Sequence, residues 1–91
     1  MGNLTMADYQ KILHRTRSIL AGFAKTRMSV KAEEINEHTE ITKDLGLDSL
    51  QVMEVVTEIE DAFDITFPVS DLFEIRTVRD LVLRIQHILE E

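Results

Sequence analysis

The stretch Asp44-Leu45-Gly46-Leu47-Asp48-Ser49-Leu50 holds the residue types and spacing best able to do chemistry. Asp48 is a good helix N-cap, and Gln51, three residues later, is its capping-box partner, so a helix should start at Asp48. That places the Ser49 hydroxyl in a first helical turn. Backbone N–H groups there lack intrahelical partners, and the positive end of the helix dipole favours a phosphate. Gly46 allows a tight turn just before the cap. Ser49 is thus presented to an approaching enzyme at a position tolerant of a phosphodiester. It has no sign of being a nucleophile in its own right. The G-x-S-x-G elbow is missing, since Gly46 lies three residues before Ser49 and Gln51 two after. On residue type alone, a plain helix-start serine explains Ser49 at least as well as a modification site.

The second chemical feature is charge. Glu54, Glu58 and Asp61 fall at i, i+4 and i+7, with Glu60 and Asp64 close by and no base between 49 and 64. A solvated face is the ordinary meaning of such a run. Here like charges stay uncompensated along one helix, which is destabilising. The arrangement makes sense if Arg or Lys on partner enzymes supplies the counter-charge. Leu50 and Met53 read either as core or as half-exposed contacts beside Ser49. Phe63, Phe67, Leu72, Phe73 and Leu81 read as core, whose bulk leaves little room for a cavity. His14, His38 and His87 are scattered, and Glu37-His38-x-Glu40 is not a metal-ligand spacing. With no acid–base pair, metal cluster or nucleophile–base spacing, neither a catalytic residue nor a metal site is expected.

The elements that must position these residues are helices. Ninety-one residues suit one domain, 1–91. One Pro and three Gly are too few for the turn-rich pattern of an all-β chain. Apolar spacing predicts helices at about 6–23, 48–64, 70–74 and 77–89. The fold expected is all-α: a small four-helix bundle of three longer helices and one short one. Between the first two runs a long polar loop, pinned at Met28, Val30, Ile35, Ile41 and Leu45. Loops of that length are usually functional. Pro68 and the β-branched run before it stop the second helix near Asp64, and Thr77 caps the last.

The absence of cysteine excludes disulfides and thiolate chemistry. No apolar run reaches the ~20 residues of a membrane span, and the first residues read neither as a signal peptide nor, with Met6 at the sixth position, as a myristoylation site. Net charge is −7, unevenly placed. Residues 1–31 carry six basic groups against Asp8 alone, +5, whereas residues 32–91 carry four against sixteen acids, −12. The acidic body argues against nucleic acid and anionic lipid, and for partners with basic patches. Lys11, Arg15 and Arg17 on the first helix are expected to offset the self-repulsion of the acidic helices.

The motif Asp-Leu-Gly-x-Asp-Ser-Leu resembles the prosthetic-group attachment site of acyl carrier proteins. Val30-Lys31-x-Glu33-Glu34-Ile35 upstream is similar to that family's loop. Glu60-Asp61-x-Phe63-Asp64-Ile65-x-Phe67-Pro68 and Thr77-Val78 resemble the ends of its second and third helices. The match spans about residues 30–85. The resemblance implies a 4′-phosphopantetheine arm, drawn from coenzyme A, joined by phosphodiester to Ser49, with Asp48 and Leu50 flanking it. It implies acyl groups carried on that arm as thioesters for fatty-acid or polyketide-type biosynthesis, without catalysis by the carrier. Expected partners are a phosphopantetheinyl transferase, an acyl-loading ligase or transferase, and synthases that dock on Glu54, Glu58, Asp61 and Met53. A cytoplasmic monomer is the expected setting. Gln51 stands where fatty-acid carriers usually have an acid, and Val69–Glu74 is bulkier than theirs, leaning toward polyketide and peptidyl carriers. An aminoacyl or peptidyl carrier therefore stays open, as does an unmodified scaffold module.

Overall fold

The computed structural model describes residues 6–24 and 31–90. Helix α1 spans Met6–Ala24. Tyr9, Ile12, Leu13, Thr16, Leu20 and Ala24 return to one face at steps of three and four, and all are buried. Thr16 is the polar member of that stripe. Its hydroxyl is fully buried and without a hydrogen-bond partner.

The loop that follows is ordered from Lys31 onward. It begins with a 3₁₀ turn at Ala32–Glu34, a local element that its polar sequence did not suggest. Ile35, Ile41, Leu45 and Leu47 drop into the core at intervals. Met28 and Val30, the other two expected anchors, lie outside the described residues. Between Glu40 and Gly46 the chain turns on itself: Asp44 N–H and Leu45 N–H donate to the Glu40 carbonyl, and Gly46 N–H to that of Thr42. Gly46 then takes a φ of 69°, the left-handed region where a side chain is costly. The turn and its three buried anchors deliver the chain to helix α2 in a fixed direction.

Helix α2 runs Ser49–Phe63 and buries Val55, Val56 and Ile59. It ends where Asp64 enters the left-handed region at φ 55°. The Glu60 side chain then accepts the Phe67 N–H at 2.7 Å, folding the outgoing chain back along the helix. The short helix expected at 70–74 is a 3₁₀ helix, Val69–Glu74. Helix α3, Val78–Glu90, buries Val78, Leu81, Val82 and Ile85 almost completely. Arg84 on α3 reaches across to Asp71 at 3.6 Å and Glu74 at 3.3 Å, tying the 3₁₀ helix down. The result is the all-α bundle expected, with buried faces of the three α-helices sharing one core.

The loop also closes the start of α3. Val78 N–H donates to the Thr39 carbonyl at 2.9 Å and Arg79 N–H to that of Glu37 at 2.8 Å. A strut passes through the same place. The Tyr9 hydroxyl donates to the Glu37 carboxylate at 2.5 Å, and Arg79 stands 4.0 Å from the same oxygen. Burial, then the hydrogen bond and charge of Glu37, push the Tyr9 phenol up to about 12. Three chain segments meet at one carboxylate.

Candidate functional site

Ser49 is the first residue of α2 and is exposed. The capping box forms as its residue types suggest. Asp48 Oδ1 accepts the Gln51 N–H at 2.8 Å, and Gln51 Oε1 accepts the Asp48 N–H at 3.2 Å. The Asp48 carboxylate is thereby engaged on the helix backbone beside the serine. Val52 N–H donates to the Asp48 carbonyl. Ser49 N–H and Leu50 N–H make no hydrogen bond within the described chain. Two backbone donors at the positive end of a fifteen-residue helix thus flank the hydroxyl.

On one side of Ser49 lies a mainly apolar cleft of about 280 Å³, lined by Thr42, Val52, Met53, Val69, Leu72 and Phe73 among others. Around it stand large apolar side chains in solvent. Leu50 is 68%, Met53 52%, Val69 64% and Phe73 87% exposed. Leu50 and Met53 thus take the exposed of their two expected roles. The exposure of Phe73 corrects its assignment to the core. In a 3₁₀ helix, three residues make a turn, so Leu72 and Ile75 can share the inward face while Phe73 is turned away from it. The cleft likewise corrects the expectation that bulky residues here close off all space. Phe73 leaves the core, and Leu72 only partly fills it.

The acidic side chains of α2 do not form one group. Glu54, Glu58 and Asp61 are all exposed. Glu54 and Glu58 line a groove shared with α1, which Asp61 does not. Glu60 has a structural task, holding Phe67 N–H. Sequence reasoning missed Val69 and Phe73 as surface residues. The three-residue turn of their helix is the signal that could have found them.

The family model of the phosphopantetheine attachment site matches residues 18–85. This chain belongs to the acyl carrier protein family. A probable acyl carrier protein of Caulobacter vibrioides is 38% identical over 60 residues, covering 66% of this chain and 70% of its own. The acyl carrier protein of Syntrophobacter fumaroxidans is 42% identical over 55 residues, 60% and 68% of the two chains. The mitochondrial acyl carrier protein of Saccharomyces cerevisiae is 33% identical over 72 residues, 79% of this chain and 58% of that one. Among solved structures, the acyl carrier protein of Enterococcus faecalis superposes with a TM-score of 0.70 at 28% identity, covering 88% of this chain and 96% of that one. The cofactor of an acyl carrier protein is phosphopantetheine, and the residues here fit such a group. An exposed hydroxyl for the ester, two unpaired N–H donors for phosphate oxygens and a cleft beside them occur together. Among the described residues, no helix is long and apolar enough to cross a membrane.

Proposed function

We propose that this chain carries acyl groups on a phosphopantetheine arm esterified to Ser49, delivering them between enzymes of a fatty-acid or polyketide-type pathway in the cytoplasm. The observation that carries the reading is Ser49 itself, an exposed hydroxyl at a capped helix start whose neighbouring N–H groups are unpaired. When bound, the arm supplies a thiol at its far end on which an acyl group can be held and passed on. The protein's share is binding and presentation. Asp48 fixes the helix start and keeps its own charge on the Gln51 N–H. The N–H groups of Ser49 and Leu50 hold phosphate oxygens. Met53, Leu50, Val69 and Phe73 offer apolar contact to whatever approaches Ser49, whether the arm's cargo or a partner's surface. Glu54, Glu58 and Asp61 attract basic patches on the partner enzymes, chiefly raising the rate of encounter. The chain then has no catalytic role of its own.

Incubation with coenzyme A and a broad-range phosphopantetheinyl transferase tests this directly. One prosthetic group should add to the intact mass, and Ser49→Ala should abolish the addition without loss of helix content. An unmodified wild-type chain, alongside a control carrier that the same enzyme modifies, would remove the proposal. The mass of the charged protein from its own cell separates an acyl cargo from an aminoacyl one.

A further inference from the structure

Gly22 has no explanation inside the chain. It lies within α1, and its φ is not positive. A Cβ built on it would meet no heavy atom within 4 Å. Neither backbone conformation nor crowding calls for glycine, and glycine weakens a helix relative to alanine. The space above it is a groove of about 600 Å³ between α1 and α2. Ile19 and Phe23, both half-buried, give that groove an apolar floor beside Gly22. Arg15 stands on the α1 wall, and Glu54 and Glu58 stand on the α2 wall. All three are exposed, and none forms an ion pair among the described residues. The groove carries charges of both signs that the chain itself leaves unused. Its lining includes Gln51, two residues from Ser49.

We propose that the α1–α2 groove receives a helix of the phosphopantetheinyl transferase that modifies Ser49. The inference rests on the carrier reading above and names a second surface for it. An enzyme working at the tip of a long arm can stand away from the carrier. An enzyme acting on the Ser49 oxygen must lie against the carrier around that residue, and the groove opens there. Gly22 lets the incoming backbone approach α1 closely. A basic side chain on the visiting helix meets Glu54 and Glu58, and an acidic one meets Arg15, which fixes its direction as well as its attraction. The first helix is therefore part of what the transferase recognises, with Arg15 selecting against a wholly basic partner.

The test is the rate of transfer from coenzyme A to the full chain by the transferase of the same cell, read by intact mass. Gly22→Leu fills the groove and should lower kcat/KM about tenfold or more, mainly through KM. Its melting temperature should not fall, because leucine is the better helix former. Gly22→Ala adds one small group and should lose far less. Arg15→Glu should lower kcat/KM at low salt, with the loss shrinking as salt screens it. A Gly22→Leu chain modified with wild-type KM overturns the groove and leaves the carrier reading intact. Failure of the wild-type chain to be modified at all overturns both. A wild-type dimer in sedimentation that Gly22→Leu disperses makes a second copy the occupant, and overturns the transferase.

Discussion

The two well-described helix starts, at Asp48 and at Thr77, are built from the same device and finished in opposite ways. Each has a capping residue bonded reciprocally to a side chain three positions on. Asp48 pairs with Gln51, and Thr77 pairs with Asp80, at 3.0 and 3.1 Å. At α3 the loop then brings its own carbonyls to the next two N–H groups, and Val78 is fully buried. At α2 the corresponding donors, on Ser49 and Leu50, have no partner, and both residues are exposed. An unpaired helix N-terminus is tolerable only where water or a ligand can reach it. The difference separates a start used for stability from one left open for binding.

Paired leucine truncations put the largest strain on that contrast. Leu81 in the first turns of α3 is 1% exposed, and Leu50 in the first turn of α2 is 68% exposed. Leu81→Ala should cost about 2–5 kcal/mol in urea unfolding, through lost transfer energy and a cavity. The caps come next. Asp48→Ala and Thr77→Ala should each cost about 1 kcal/mol. The Thr77 site should also weaken in acid. Hydrogen bonding, first to the Thr77 N–H, holds the Asp80 carboxyl below its ordinary value of 3.8 against the opposing effect of burial. A depressed carboxyl contributes stability that is present above that ordinary value and disappears as pH falls through the folded one. Asp80→Asn should flatten this part of the acid profile, as followed by circular dichroism.

The alkaline limb sharpens the comparison from the other side, because the strut at Glu37 serves the sealed start alone. Tyr9 titrates at about 12 when folded, against an ordinary value of 10.0. A raised phenol means that the folded state prefers the neutral form, so its contribution is complete below pH 10 and is lost on the way to 12. Tyr9→Phe should remove that decline while lowering stability at neutral pH by about 0.5–1.5 kcal/mol, the usual worth of one hydrogen bond. The smallest effect belongs to the open start. Leu50→Ala should change unfolding free energy by no more than about 0.5 kcal/mol, as surface changes generally do. A cost for Leu50→Ala near that of Leu81→Ala would show that the α2 start is packed after all.

What could be read from the chain before its fold was known is what depends on neighbours close in sequence. The stripe of α3 follows a 3.6-residue period, and both capping boxes act over three residues. Gly46 and Asp64 mark turns through local backbone conformation, and Ser49 at the head of a capped helix is a local fact of the same kind. Tertiary structure alone decided the rest, because it depends on contacts that no local pattern encodes. Tyr9 and Glu37 meet across 28 positions. Thr39 and Glu37 complete the start of α3 only because the loop passes there, anchored by Ile35 and Ile41. Phe73 has the composition of a core residue, and a 3₁₀ turn held by Arg84 sends it outward. The division of the α2 acids between groove and solvent follows from where α1 lies against them, and a charge run read along one helix has no means of knowing that.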